Sequence, residues 1–179
     1  MLLMPKRDWQ WKYNDAHGVL GISLGDDYEF LTPYSKKQLI PDALMDLEFD
    51  VAHARFYIDL LDRLQKVLKA SEAGLVQIAL NATAAHFMLQ SQMPKSWFFK
   101  PSTTCVFSEN GKVFTLVSEF NNEKLLVLAV EAGIQSSCIM LLSEEAVISE
   151  NKTLKQFDVI KVMNERLFPL QTNRQTAAA

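Results

Sequence analysis

The sequence predicts an α+β fold made of two subdomains that pack against each other, and three observations lead to this prediction. Apolar residues recur at spacings of three and four between residues 52 and 90, as is typical of helices. Short runs rich in β-branched and aromatic residues lie before this region and again after Pro101. Between the two regions, Pro94 excludes a continuous helix. We therefore expect an N-terminal α/β part and a C-terminal part built mainly of strands.

The first quarter of the chain predicts a small antiparallel meander. Residues 9–13 alternate between aromatic and polar side chains, and residues 18–24 carry apolar side chains at every second position. Residues 25–27, Gly-Asp-Asp, favour a tight turn because Gly and Asp tolerate positive φ. Residues 28–31 then return as a third strand. The tryptophans of the first strand, Trp9 and Trp11, are assigned to packing.

Two helices are predicted next. The first begins near His53 and places its apolar residues on one face. The second spans about residues 72–90, with Ser71 as its N-cap, and it carries apolar residues on nearly every side. A helix that is apolar all round needs cover on all sides. We expect this second helix to be the central element of the N-terminal domain.

The C-terminal half predicts five short strands in a small antiparallel barrel or rolled sheet. Asn110-Gly111 lies between two β-rich runs and is the strongest hairpin signal in the chain. A last helix is expected to start at Thr153 or Asp158 and to stop before Pro169. The predicted strands cover residues 103–108, 112–119, 125–130, 136–142 and 146–149.

The domain boundary is predicted in the aromatic segment that follows the second helix. Residues 94–101 contain three large aromatic residues and no glycine, which is unlike a flexible linker. We predict an N-terminal α/β domain over residues 1–95, a C-terminal barrel-like domain over residues 96–170, and a disordered tail over residues 171–179.

Composition indicates a folded cytoplasmic protein. Of 179 residues, 49% are hydrophobic, and the net charge is −3. Each half of the chain is slightly acidic, which disfavours nucleic acid and anionic membranes as partners. The N-terminus does not have the pattern of a secretory signal, and no apolar run reaches membrane-spanning length. Cys105 and Cys138 are expected to be reduced, small core residues.

The sequence shows no recognisable catalytic set. Its six glycines form no phosphate-binding loop, and the serines lie in no nucleophile elbow. The three histidines, His17, His53 and His86, lack metal-ligand spacing. We therefore expect no catalytic residues, no cofactor and no metal, and we favour a protein that is not an enzyme.

Four segments resemble the bacterial Z-ring-associated ZapC family, and they occur in the family's order. The match around Pro94 is the most specific of the four. These segments are Trp9-Gln10-Trp11, Pro41-Asp42-Ala43, Gln92-Met93-Pro94-Lys95-Ser96-Trp97, and Ile160-Lys161-Val162-Met163-Asn164-Glu165-Arg166-Leu167. The resemblance implies a cytoplasmic cell-division factor at mid-cell that binds the tubulin-like protein FtsZ and promotes bundling of its polymers. It also implies an α/β part followed by a barrel-like β part.

The candidate partner-binding residues are Lys95, Trp97, Lys100 and Ile22. Lys95 follows the end of a helix and lies beside Trp97, so it can pair with an acidic partner surface such as that of FtsZ. Lys100 is a weaker candidate. Ile22 is proposed as an exposed contact on an edge strand, although core packing is its alternative. Trp97 itself is assigned mainly to packing. We expect a monomer or a weakly self-associating protein.

A second hypothesis is a small-ligand-binding or hydrolytic domain that uses a cleft between the two halves. Such a cleft requires convergent polar groups with perturbed pKa values. The candidates are His86, Asp59 and Glu119. For His86, the simpler expectation is a ring that hydrogen-bonds to a neighbour within the buried helix.

Overall fold

A computed structural model describes residues 2–170, and these residues form two compact units that divide between Gln92 and Met93. The two helices and the antiparallel sheets confirm the predicted α+β class. The predicted tail at residues 171–179 lies outside the described range.

The first unit contains a four-stranded antiparallel sheet and two helices. Its strands are β1 (Gln10–Asn14), β2 (Val19–Ser23), β3 (Glu29–Ser35) and β4 (Leu47–Glu48), in the order β3-β2-β1-β4. Two short 3₁₀ helices, Lys36–Gln38 and Pro41–Leu44, connect β3 to β4. The predicted meander is confirmed. Its core face includes Trp9 and Trp11, which are fully buried and pack on Phe49 at ring-centroid distances of 5.3 and 5.2 Å.

The helices of the first unit are α1 (Val51–Val67) and α2 (Glu72–Met88). Helix α1 is amphipathic, and the Asp50 side chain accepts from the backbone N–H of His53 at its N-terminus. Ser71 caps α2 in the same way, by accepting from the Gly74 N–H. All residues from 78 to 85 of α2 are buried, which confirms the expected central helix.

His53 joins the start of α1 to the sheet through hydrogen bonds of its ring. Its Nδ1 atom accepts hydrogen bonds from the indole Nε1 of Trp11 (3.1 Å) and from the backbone N–H of Asp50 (3.0 Å). Burial lowers the pKa of His53, while the Asp50 carboxylate and a backbone hydrogen bond at Glu48 act in the opposite direction. The neutral imidazole is therefore the form that fits the folded state.

We predict that the first unit loses stability as the pH falls below about 6.5, the pKa of histidine in the unfolded chain. Below that value the unfolded chain binds a proton that folded His53 resists, and the loss levels off once the pH passes the lowered folded pKa. Thermal melts between pH 8 and pH 5 measure this loss. His53→Gln, which keeps an acceptor near Trp11, serves as the comparison. An equal acid-induced loss in both proteins contradicts the assignment.

The second unit is an open antiparallel sheet with a separate hairpin. The sheet contains β5 (Val113–Val117), β6 (Lys124–Ala132), β7 (Ser136–Leu141), β10 (Val159–Met163) and β11 (Phe168–Pro169), in the order β10-β7-β6-β5-β11. The hairpin pairs β8 (Glu145–Ser149) with β9 (Lys152–Lys155). Its buried residues Ala146, Ile148 and Leu154 belong to the same hydrophobic core as the sheet. Within residues 93–170 the strands do not close into a barrel, so that part of the prediction is corrected.

Two predicted elements of the second unit are wrong. Residues 103–108 form no strand, and the chain at residues 110–111 turns before β5 instead of joining two paired strands. Where a terminal helix was predicted, the structure has strand β10 followed by a 3₁₀ helix at Asn164–Arg166. Phe157 has a φ of 73°, which a right-handed helix does not allow. The β-branched residues that follow it suit the pleated surface of a strand.

Candidate functional site

The candidate site is built on the segment Met93–Lys100, which begins the second unit. It is attached to strand β10 at two points, once through its backbone and once through a side chain. The N–H of Lys95 donates to the carbonyl oxygen of Lys161 (2.8 Å), and the N–H of Met163 donates to the hydroxyl oxygen of Ser96 (2.8 Å). These bonds fix the direction in which the following side chains leave the backbone.

The three consecutive aromatic side chains of this segment have different environments. Trp97 is 65% exposed, Phe98 is half-buried against the core, and Phe99 is fully buried. The cause is the 3₁₀ turn Ser96–Phe98, because three residues per turn direct successive side chains about 120° apart. Phe99 then forms a backbone bridge with Ser118, which directs its ring into the core. The assignment of Trp97 to packing is therefore wrong.

Lys95 lies beside a lysine that the sequence did not single out. Lys152, in β9, has its Nζ atom 5.4 Å from the ring centroid of Phe98. The adjacent ammonium group of Lys95 lowers the pKa of Lys152, partial burial lowers it further, and the carboxylate of Asp158 acts in the opposite direction. Lys95, Trp97, Phe98 and Lys152 together form what we call the basic aromatic surface.

The contribution of Lys152 to this surface has no local sequence signal. It is 57 residues from Lys95 along the chain, and it lies in a region that was expected to precede or begin a helix. The β8–β9 hairpin, whose Leu154 is buried in the same hydrophobic core as Phe99, brings Lys152 to this surface. The sequence analysis expected a helix near these residues, so it did not indicate this arrangement.

Lys100 and Ile22, the two other candidate residues, are less exposed than Trp97. Lys100 is half-buried, and its backbone N–H donates to the carbonyl oxygen of Val117 (2.9 Å). Ile22 is fully buried, which corrects its proposed role as an exposed contact. Strand β2 is an interior strand between β1 and β3, and Ile22 pairs with the buried Trp11, so it belongs to the core face.

The three residues proposed for a ligand-binding cleft differ in their surroundings. His86 stacks on Phe56 with a ring-centroid distance of 4.3 Å and meets Phe87 edge-on at 4.6 Å. This packing gives its ring a structural role. Asp59 and Glu119 are exposed and belong to different units. Among residues 2–170, no three His, Cys, Asp or Glu side chains are placed to hold a metal ion.

The second unit also contains a groove of about 760 Å³ that the sequence did not predict. It is lined by residues 102–108, 132–134 and 164–165. Phe107 and Ile134 are exposed along it. The lining segment 102–108 is attached at Ser102, whose N–H donates to the Glu165 carbonyl oxygen. Across the part of the chain that the structure describes, neither helix has the length and apolarity needed to cross a bilayer.

Comparison with known proteins gives full-length similarity to one group of bacterial proteins. The family model for "Cell-division protein ZapC, N-terminal" matches residues 2–90, and that for "Cell-division protein ZapC, C-terminal" matches residues 91–173. Cell division protein ZapC of Shewanella oneidensis is 58% identical over 179 residues, covering 100% of both chains. The Ferrimonas balearica protein of the same name is 44% identical over 181 residues, also covering 100% of both. That of Aeromonas hydrophila is 34% identical, covering 94% of this chain and 93% of its own.

Proposed function

Because this chain belongs to the cell-division protein ZapC family, we propose that it binds the tubulin-like protein FtsZ directly and promotes bundling of FtsZ polymers at the Z-ring. It acts in the cytoplasm and is recruited to mid-cell. It works as an interaction module and catalyses no reaction.

The observation that supports this proposal is an exposed tryptophan beside paired cations. Tryptophan is among the residues that most often dominate binding energy at protein interfaces. It is highly buried on average in folded proteins. Trp97 is 65% exposed, and Lys95 and Lys152 lie on the same surface. An acidic partner such as FtsZ is complementary to this surface in charge.

Bundling sets an additional requirement on the protein. To join two filaments, one molecule needs two binding surfaces, or two molecules need to associate. In either case the many sites along a polymer raise the effective concentration, so each contact can be weak. The basic aromatic surface supplies one contact, and the groove along Phe107 and Ile134 offers a position for another.

Co-sedimentation with purified FtsZ tests the proposed function. The protein is centrifuged with FtsZ assembled in GTP and, separately, with FtsZ in GDP. We expect the protein to pellet with the polymers only, and right-angle light scattering to increase as bundles form. A protein that stays in the supernatant over the whole range of polymer concentration contradicts the proposal.

Lys95→Glu is expected to weaken binding to FtsZ polymers by about tenfold, because it replaces an attractive charge by a repulsive one. Its melting temperature is expected to stay close to that of the wild type, since Lys95 forms no ion pair with any residue in 2–170 and its backbone hydrogen bond to Lys161 is retained. Co-sedimentation gives the affinity and circular dichroism gives the melt. Lys155→Glu makes the same charge change at an exposed position of β9 and is the control. If Lys95→Glu and Lys155→Glu bind the polymers with equal affinity, Lys95 is not part of the interface.

A further inference from the structure

The basic aromatic surface brings two lysines from distant parts of the chain into contact. Lys95 is held by its backbone hydrogen bond to Lys161 at the edge of the sheet. Lys152 follows the turn of the β8–β9 hairpin, and the face of Phe98 lies 5.4 Å from its ammonium group. Phe98 connects the two lysines: its backbone N–H donates to the carbonyl oxygen of Lys95 (3.4 Å), and its ring lies under the ammonium group of Lys152. The Lys95 side chain lowers the pKa of Lys152, as a neighbouring cation does. Each lysine is therefore positioned by its own element, and their proximity is a property of the fold.

Two adjacent cations repel each other, and an anion bound to both offsets that repulsion. No carboxylate of residues 2–170 forms an ion pair with either lysine. The carboxylate of Asp158 raises the pKa of Lys152, and its Oδ2 atom accepts a hydrogen bond from the Lys155 backbone N–H (2.9 Å). The chain thus leaves the pair with an excess of positive charge that a binding partner can neutralise.

We propose that Lys95 and Lys152 form one two-cation site for a carboxylate-rich segment of the polymer partner, and that Trp97 docks an apolar side chain of the same segment. This inference rests on the proposed function and adds to it a second cation and the chemistry of the bound segment. Lys152 is thereby a partner-binding residue.

The surroundings favour an acidic polypeptide over a nucleic acid. A nucleic acid requires an extended positive field, because its phosphates repeat along the whole strand. Residues 101–179 carry more acidic than basic side chains, so this part of the chain has no such excess of positive charge. A short acidic segment with an apolar neighbour fits the basic aromatic surface, because Lys152 and the exposed Trp97 both meet the ring of Phe98.

Charge reversal at Lys152 tests the site. Lys152→Glu is expected to weaken co-sedimentation with FtsZ polymers by about tenfold, comparable to Lys95→Glu, and to make binding less sensitive to salt. Lys155→Glu is the matched control. It lies on the same strand, but side chains three residues apart on a strand point to opposite faces, and Lys155 is exposed on the face opposite the buried Leu154. Lys155→Glu is expected to bind as the wild type does.

A double-mutant cycle shows whether the two lysines act on one group. Lys95→Gln and Lys152→Gln are measured singly and together, each with a thermal melt. If both cations contact the same acidic segment, the double variant loses less affinity than the product of the single losses. If the loss of affinity in the double variant equals the product of the two single losses, the lysines do not act on one group and the single site is wrong. If Lys152→Gln and Lys152→Glu both bind with wild-type affinity, Lys152 has no role in binding.

The outcome for the wild-type chain separates the two proposals. If the wild type does not pellet with FtsZ polymers, the proposed function fails and no variant is needed to show it. If the wild type pellets and Lys152→Glu pellets equally well, the proposed function stands and the two-cation site is wrong. A hexaglutamate peptide at millimolar concentration is expected to reduce the amount of wild-type protein that pellets with the polymer and to leave Lys152→Glu unaffected. An unchanged wild-type pellet contradicts the two-cation site.

Discussion

Phe99→Ala is expected to lower the free energy of unfolding of the second unit by about 3–5 kcal/mol, as large-to-small changes of buried aromatic residues do. Phe99 is fully buried in the hydrophobic core that the sheet shares with the β8–β9 hairpin, so its removal leaves a cavity that this core cannot easily fill. Urea denaturation, followed by the circular dichroism of the strands, measures the loss.

The comparison variant for this prediction is Phe99→Leu. It keeps most of the buried volume, and such changes cost less than about 1.5 kcal/mol when neighbours repack. The two variants therefore separate the loss of volume from the loss of an aromatic ring. If Phe99→Ala shifts the transition by less than about 1 kcal/mol, Phe99 does not have the packing described here.

Trp97→Ala, two positions before Phe99, is expected to weaken polymer binding while leaving the stability of the fold nearly unchanged. We predict a change in unfolding free energy within about 0.5 kcal/mol, because the side chain is exposed and its removal opens no cavity in the core. Binding to FtsZ polymers is expected to weaken by about 30-fold, the effect of losing an interface anchor worth about 2 kcal/mol. Co-sedimentation and urea denaturation on the same preparation measure the two quantities.

Phe120→Ala is the control for this variant, because Phe120 is another exposed aromatic residue of the same unit. It is expected to bind polymers as the wild type does. If Trp97→Ala melts several degrees lower and binds polymer with unchanged affinity, Trp97 is a packing residue and not a binding residue. Equal loss of affinity in both variants indicates general apolar adhesion rather than a specific contact.

The sequence predicts the first unit well because its periodicities are strong and local. The alternation at residues 9–13 and the all-round apolar character of α2 correspond directly to a half-buried strand and a buried helix. Ile22 shows the limit of this reasoning. Whether its strand is at the edge of the sheet depends on pairing with β3, which residues 19–23 alone do not specify.

The second unit is predicted less well because its structure depends on long-range pairing. Residues 157–167 have apolar spacings that suit a helix, yet β10 pairs with β7, and this pairing decides the outcome. The site has the same dependence. Lys95 and Trp97 are found from the sequence because they are neighbours, whereas Lys152 joins them only through the hairpin.

The central helix of the first unit has a further consequence for how this protein tolerates change. Ala79, Ala82 and Ala84 have no accessible surface, so the elements around α2 approach its backbone to within the reach of a methyl group. A larger side chain at these positions has no space and must push a neighbouring element away, at a typical cost of about 1–3 kcal/mol. These three alanines are therefore among the positions that tolerate substitution least. Sequence drift is expected to be concentrated on α1, whose outer face is in water.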